Sequence, residues 1–281
     1  MLKTYLNCKD FTVSNEEFEL VFDSNKEMLV TTPQPFLEKL GSYYESEDYI
    51  SHTDSKKSLF DRIYQLVKIY TISKKVKLVT EFLEIDSQNS ILDIGCGTGD
   101  FLVACQKNGY EVNGVEPNEK PNLISKSKLE IDIHQDISEI NSQKFDTITM
   151  WHVLEHVPNL EEYIYNLKQL LKPNGTLFVA VPNYKSFDAN YYGKFWAAYD
   201  VPRHLWHFSQ KSIELLFKKQ QMKIVKTKPM LFDSFYVSLL SEKYKSGKSN
   251  PLKAFLIGWK SNLKAKQTSE YSSLTYVIKN D

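Results

Sequence analysis

The sequence predicts an α/β fold built on a doubly wound, mostly parallel sheet with helices on both faces. Two observations lead to this prediction: short apolar runs alternate with helix-like stretches from residue 90 to residue 181, and a glycine-rich turn joins the first run to the first such stretch. Strands that alternate with helices pair in parallel, because each crossover helix returns the chain to the same end of the sheet. We expect strands at 90–95, 111–116, 131–135, 145–150 and 175–181, and helices at 99–108, 118–128 and 159–171.

The turn after the first run has glycine at three alternate positions, Gly95, Gly97 and Gly99. Turns of this kind use positive φ angles and let a ligand approach the backbone closely, which a Cβ atom would resist. A dinucleotide fingerprint would have its third glycine at position 100, where this chain has Asp100. That carboxylate and Asp93 would repel a pyrophosphate, whereas both suit a ligand with an amino group or a sulfonium cation.

The second run ends in an acid, Glu116, which lies 21 positions after Gly95. This offset is close to the one, about 20 residues, at which a carboxylate contacts a ribose diol in nucleotide-binding sheets. A nucleoside that carries positive charge therefore fits these residues better than NAD.

Four blocks of sequence occur in a fixed order, at 91–99, 114–117, 145–157 and 171–177. Together they resemble the class I S-adenosylmethionine-dependent methyltransferases, and the branch with the ubiquinone-biosynthesis O-methyltransferases is the most similar. The resemblance extends over about residues 75 to 230. It implies a Rossmann-like sheet of seven strands, the last of them antiparallel, with S-adenosylmethionine as the cofactor.

The resemblance also implies an enzyme that transfers methyl to a small-molecule acceptor, with oxygen as the expected site. The alternative is a non-catalytic protein of the same fold, which binds the cofactor as a sensor or serves as a scaffold. An insertion at 184–208, rich in aromatic residues, Arg and His, favours catalysis, and a scaffold has less reason to keep Asp93, Glu116 and the three glycines all intact. The residues are compatible with O-, N- or C-methylation.

The cofactor contacts are assigned from the resemblance and from the strand ends, since ligands of such sheets lie beyond the carboxyl ends of the strands. Asp93 and the glycines are expected at the methionine part, Glu116 at the ribose and Asp136 at the adenine. Asp136 is equally suited to cap a helix or turn, and a small buried filler is the simpler role for the cysteine between the glycines. The expected cofactor residues are Asp93, Gly95, Cys96, Gly97, Gly99, Glu116, Pro117, Asp136, Ile137 and Trp151.

Three histidines are candidates for the base that takes a proton from a hydroxyl acceptor: His152, His156 and His204. Histidine suits this role because its ordinary pKa is near neutrality. The alternative is a structural histidine that is hydrogen-bonded to the backbone. Expected acceptor-binding residues in the insertion are Trp196, Arg203, Trp206 and His207, and the alternative there is an aromatic minicore that closes the end of the sheet.

Three segments are predicted: a β-rich acidic extension at 1–55, a helical lid or linker at 56–85, and the methyltransferase domain at 86–281 with insertions at 184–208 and 233–270. The three cysteines include no C-x-x-C pair, and no metal is predicted. An apolar leader and a membrane span are absent from the sequence, so we expect a cytoplasmic protein.

Charge is balanced overall but uneven along the chain. The formal net charge is zero, which gives no basic field for nucleic acid. Residues 243–266 contain seven lysines and no acid, whereas residues 16–54 contain ten acids and two lysines. The basic segment is therefore expected either to touch an anionic membrane or to dock on the acidic segment, within one chain or across a homodimer, and the opposite charges favour docking.

Overall fold

The computed structural model describes residues 2–44, 59–83, 88–140 and 143–281 of the chain. The predicted segment boundaries at 55/56 and 85/86 lie outside these residues. None of the described helices combines the length and the apolar character that crossing a bilayer requires.

Eleven strands are present in the described residues and form two sheets. The strands are β1 (Leu2–Lys9), β2 (Glu17–Asp23), β3 (Met28–Thr32), β4 (Ser90–Ile94), β5 (Glu111–Val115), β6 (Ile133–His134), β7 (Phe145–Trp151), β8 (Leu171–Pro182), β9 (Trp206–His207), β10 (Met222–Pro229) and β11 (Ser273–Asn280).

The α-helices of the described residues lie on both faces of the larger sheet and at its end. They are α1 (Leu37–Leu40), α2 (Leu59–Thr80), α3 (Asp100–Lys107), α4 (Glu119–Leu129), α5 (Leu160–Leu170), α6 (Phe187–Tyr192), α7 (Gln210–Lys219), α8 (Asp233–Ser246) and α9 (Pro251–Thr268). Short 3₁₀ turns lie at Gly41–Tyr44, Ile137–Glu139, Leu154–His156, Gly193–Phe195 and Ala197–Tyr199.

The larger sheet has seven strands in the order β10-β11-β8-β7-β4-β5-β6. Strands β4 to β8 pair in parallel, and β11 is antiparallel to both β8 and β10. The predicted doubly wound sheet with an antiparallel last strand is therefore confirmed. Its strand order reverses between β4 and β7, which is the place where such sheets bind ligands.

Two strands differ in length from the prediction. The third strand of the core, β6, has two residues instead of five, and Gln135 leaves the sheet because its backbone N–H donates to the side chain of Glu139 at 3.1 Å. The fifth, β8, begins at Leu171 instead of residue 175, since Leu171 pairs with Phe145 ahead of an irregularity in the register. Helix α7 begins at a capping box formed by Ser209 and Ser212.

The smaller sheet has the order β1-β2-β3-β9 and joins the N-terminal extension to the insertion at 184–208. Strand β9 belongs to that insertion, and it pairs with β3 through Val30 with Trp206 and Leu29 with His207. The hydroxyl of Thr31 also donates to the carbonyl of His204 at 2.6 Å. The extension is thus packed against the strand ends of the larger sheet.

A buried guanidinium strengthens this junction. Arg203, with 2% of its side chain exposed, donates to Asp10 at 2.9 Å, to Asp200 at 2.7 Å and to the carbonyl of Tyr43 at 2.9 Å. Burial alone would raise the pKa of Asp10, but the hydrogen bonds from Arg203, Ser14 and Thr12 hold it well below its usual range. The carboxylate is therefore charged in the fold at any ordinary pH.

We expect Asp10→Asn to destabilise the protein by about 3–5 kcal/mol, because it leaves part of the buried Arg203 charge unpaired. The matched control is Glu214→Gln, which breaks the exposed pair of Lys211 and Glu214 and should cost about 0–1 kcal/mol. Urea unfolding at neutral pH measures both. Because the pKa of Asp10 is depressed, the stability that this carboxylate contributes is present above the ordinary carboxyl range and is lost on acidification. Equal free energies of unfolding for Asp10→Asn and Glu214→Gln would contradict the role of the buried pair.

Candidate functional site

The glycine turn connects β4 to α3, and all three glycines have positive φ angles, of 69°, 54° and 76°. A Cβ atom at Gly95 would lie 2.4 Å from Cγ2 of Val153, and one at Gly99 would lie 2.9 Å from Cβ of Ser125. At Gly97 a Cβ would meet no atom within 4 Å. Packing therefore requires two of the glycines, whereas the middle one leaves its backbone open to a ligand.

Two buried carboxylates lie beside this turn. Asp93, 2% exposed, accepts a hydrogen bond from the hydroxyl of Thr149 at 2.5 Å. Burial raises the pKa of Asp93 to about 7, against the opposing effects of that hydrogen bond and of the Lys75 charge. Glu116, the residue expected to bind the ribose, accepts a hydrogen bond from the backbone N–H of Gly97 at 2.9 Å. Its carboxylate is therefore held directly by the glycine turn.

A cation already lies at this end of the sheet. Lys75 of α2 places its Nζ 4.4 Å from the ring centroid of Trp151. Burial lowers the pKa of Lys75, while the charges of Asp93 and Asp233 oppose that effect. The buried Nε1 of Trp151 has no hydrogen-bond partner in the described part of the chain. Sequence reasoning missed Lys75 and Asp233, because neither differs by pattern from the solvent-exposed charges of its helix.

His152 is held between two acids where β7 ends. Its φ angle is 60°, its Nε2 lies 3.0 Å from Asp233 and its Nδ1 lies 3.4 Å from Glu155. Burial favours the neutral ring, but the two carboxylates outweigh it and raise the pKa of His152 to about 10. In this arrangement His152 is a cation at neutral pH, and its expected role as a base would require release from these pairs.

The other two candidate histidines face each other. The rings of His156 and His204 are 4.6 Å apart between centroids, in an edge-to-face arrangement. Nδ1 of His156 lies 3.0 Å from the carbonyl of Arg203, and Nδ1 of His204 lies 2.9 Å from the carbonyl of Ala198. Burial and the neighbouring His204 lower the pKa of His156 to about 4, so its ring is neutral. The structure thus brings together two of the three candidate bases.

The expected acceptor-binding residues are directed into the interior. Nε1 of Trp196 donates to Asp188 at 2.7 Å, and Nε1 of Trp206 donates to the carbonyl of Val157 at 2.6 Å. The buried His207 shares a 2.9 Å hydrogen bond with Thr31. Together with the paired guanidinium of Arg203, these contacts agree with the aromatic-minicore alternative, and acceptor binding by the four residues stays a prediction.

The remaining expected cofactor residues lie around the same strand ends. Cys96 is buried next to the position of a Cβ on Gly114, and burial raises the pKa of its thiol, as suits a filler. Ile137 is buried, whereas Pro117 and Asp136 are exposed. Asp136 caps the 3₁₀ turn, which is one of its two predicted roles; its contact with adenine stays a prediction.

Curated proteins similar to this chain include ubiquinone biosynthesis O-methyltransferases. The one from Pasteurella multocida is 34% identical over 111 residues, which cover 33% of this chain and 46% of that protein. The one from Coxiella burnetii is 36% identical over 110 residues, which cover 36% of this chain and 47% of that protein. The chain thus spans about half the length of these curated relatives.

A solved structure with the same fold is the magnesium protoporphyrin IX methyltransferase of Synechocystis with bound S-adenosylhomocysteine. Its TM-score is 0.58 at 14% identity, and the match covers 87% of this chain and 100% of that one. A family model described as a methyltransferase domain matches residues 60–227, which include the glycine turn and most strands of the larger sheet. Because this match covers more than half of its length, the chain belongs to the methyltransferase domain family.

Proposed function

We propose that this chain transfers a methyl group from S-adenosylmethionine to an oxygen of a small-molecule acceptor. The observation that carries the proposal is the glycine turn, where the backbone of Gly97 is open to a ligand beside the buried carboxylates of Asp93 and Glu116. The nearby face of Trp151, which already accepts the Lys75 ammonium at 4.4 Å, is suited to a sulfonium or an amino group of the cofactor. The bound cofactor would supply an electrophilic methyl carbon.

The chain's residues fit that cofactor in three places. The open backbone at Gly97 gives room for close approach, and the carboxylate of Glu116, fixed by the turn, is placed to accept from ribose hydroxyls. The unpaired Nε1 of Trp151 offers a further donor. The enzyme's part in methyl transfer is then mainly to align donor and acceptor and to exclude water.

Oxygen as the acceptor atom is supported by the names of the similar proteins, which are O-methyltransferases. The second candidate is a protein of the same fold that binds the cofactor without catalysis. The two are separated by a screen for methyl transfer to small molecules that carry a hydroxyl group, measured after cofactor binding is established.

Gly97→Ala should weaken the binding of S-adenosylhomocysteine about tenfold or more, since its methyl group enters the space left for the ligand. The matched control is Gly109→Ala, because Gly109 also has a positive φ, of 85°, and no atom within 4 Å of its Cβ position. Both variants should lose about 1–2 kcal/mol of stability through backbone strain. Calorimetric titration separates the two effects.

Two results would count against the cofactor assignment. One is the absence of S-adenosylhomocysteine binding by the folded wild-type protein. The other is an equal loss of affinity in Gly97→Ala and Gly109→Ala, which would mean that the loss comes from a destabilised fold and not from a changed contact with the cofactor.

Cofactor affinity should rise with pH through about 7, the pKa to which burial raises Asp93. Below that pH the carboxyl is mostly neutral and must lose its proton before it can pair with the cofactor's amino group. We therefore expect the affinity for the cofactor to increase about tenfold from roughly pH 6 to roughly pH 8. Titrations across this range measure it, and Asp93→Asn should bind weakly with a flat profile; a steep profile in that variant would assign the titration to another group.

The helical hairpin of α8 and α9 has an unusual distribution of side chains. Helix α9 directs its small residues inward, and a Cβ at Gly258 would lie 2.8 Å from Phe235 of α8. The inward residues are Ala254, Gly258, Ser261 and Ala265. Large apolar residues on the opposite side form an exposed stripe: Leu252, Phe255, Leu256, Trp259 and Leu263.

We propose that this exposed stripe contacts an anionic membrane surface. The seven lysines of residues 243–266 have no acid among them, so a second copy of the same surface would bring like charges together. An ion pair of this segment, Lys253 with Glu242 at 3.0 Å, lies within the hairpin, and the predicted docking on the acidic N-terminal residues stays a prediction. Helices that lie in the membrane interface typically combine large apolar residues with lysines in this way.

The protein should therefore sediment with vesicles that contain anionic lipid and not with purely zwitterionic ones. Replacing both Phe255 and Trp259 by Ser should reduce binding several-fold, because both side chains are exposed and available to enter the interface. The control is Leu123→Ser, since Leu123 is equally exposed but belongs to α4. Equal binding of the double variant and the control, or a dimer in solution that the double variant abolishes, would contradict membrane contact.

A further inference from the structure

Three potential metal ligands converge between the end of β7 and the insertion. Glu155, His156 and His204 each offer one donor atom, and these atoms lie within 4.8 Å of one another. Glu155 and His156 belong to the 3₁₀ turn after β7, and His204 comes from the segment that leads into β9. The backbone N–H of Leu205 donates to the carbonyl of Glu155 at 2.8 Å, which joins the two segments.

The hydrogen bonds of both histidines favour the same tautomer. Nδ1 of His156 lies 3.0 Å from the carbonyl of Arg203 and 2.8 Å from the hydroxyl of Tyr44, and Nδ1 of His204 lies 2.9 Å from the carbonyl of Ala198. A carbonyl can only accept, whereas a hydroxyl can also accept, so a proton on each Nδ1 satisfies all three oxygens. Each Nε2 is then left with its lone pair. Metal-binding histidines are oriented in this way, with the second ring nitrogen donating to a carbonyl or a carboxylate.

The carboxylate of Glu155 provides an independent observation. Glu155 is completely buried, and neither of its oxygens has a hydrogen-bond partner among the residues described. The nearest cation is the His152 ring, whose Nδ1 lies 3.4 Å from Glu155, outside hydrogen-bond geometry, and whose Nε2 lies 3.0 Å from Asp233. One imidazolium shared by two carboxylates leaves an excess negative charge, and both buried oxygens of Glu155 still lack a hydrogen-bond donor among the residues described.

We propose that Glu155, His156 and His204 bind a divalent transition-metal ion, with zinc as the closest chemical match. Two imidazole nitrogens and one carboxylate oxygen are typical of zinc sites that keep an open coordination position. Mg²⁺ and Ca²⁺ prefer sets made of oxygen ligands alone. The sequence predicted no metal because the two parts of the site are 48 positions apart, counting from His156 to His204.

His156 is half-buried, so the cluster borders solvent and an open coordination position of the ion could be reached from outside. A water or an acceptor hydroxyl bound there would lose its proton more easily, because the metal lowers its pKa. Only this last step rests on the proposed methyl transfer; metal binding itself does not.

The test uses the full chain after chelator treatment and dialysis, titrated with Zn²⁺ by calorimetry and with Co²⁺ by visible absorption. We expect one ion per chain and the intense absorption bands of four- or five-coordinate Co²⁺. Loss of a residue that only hydrogen-bonds to a metal ligand typically weakens metal binding roughly 10- to 100-fold. Glu155→Gln and His204→Gln remove a ligand itself and should each weaken metal binding by more than this. The control is His134→Gln, because His134 also lies beside an acid, Glu139 at 3.5 Å, outside the cluster.

Two further measurements make the outcome decisive. Zn²⁺ should raise the melting temperature of the wild type and of His134→Gln, and not that of Glu155→Gln. A folded wild-type protein that binds neither ion, or undiminished binding by Glu155→Gln, would overturn the metal site. Titration with S-adenosylhomocysteine in the same samples separates the metal proposal from the proposed methyl transfer. If the cofactor binds and no metal ion binds, only the metal site is overturned.

Discussion

The buried guanidinium of Arg203 is the interaction on which the arrangement of the site depends. It connects Asp10 after β1, the carbonyl of Tyr43 and Asp200 in the insertion, three segments that are far apart in sequence. A charge taken out of water is tolerated only when its donors are matched, so these segments have little freedom to move independently. The carbonyl of Arg203 in turn accepts from His156, and His204 follows it in the chain. The N-terminal extension thus helps to hold the histidines in place.

Charges of opposite sign alternate across the end of the sheet. Lys75 lies near Asp93 and Asp233, and His152 bridges Asp233 to Glu155. His152 therefore couples the turn after β7 to the first turn of α8. Removing any member of this row would leave a buried neighbour without its counter-charge, which is more costly than the net stability of the pair. The helical hairpin is connected to the candidate site by charge as well as by packing.

Local patterns predicted the larger sheet well. The strands near 90–94 and 111–115 and the helix near 160–170 follow from short-range apolar patterns and glycine positions. The pairing of β3 with β9 was not predicted, because it joins Val30 to Trp206 and nothing local encodes such a contact. The roles of Lys75 and Glu155 were missed for a related reason, since burial of a charged residue is set by tertiary packing.

Composition alone could not predict whether the polar groups of the aromatic insertion face the interior or a bound acceptor. The hydrogen bonds of each polar group distinguish these alternatives. Trp196, Trp206 and Arg203 all have internal partners, so their polar atoms are satisfied within the fold. At the end of β7, by contrast, Nε1 of Trp151 and both oxygens of Glu155 are buried without a hydrogen-bond partner in the described chain. Buried polar groups are nearly always paired, and at a ligand site the ligand supplies the partner. The chemistry of this protein is therefore expected at the ends of β4 and β7, with the insertion as the wall that positions His204.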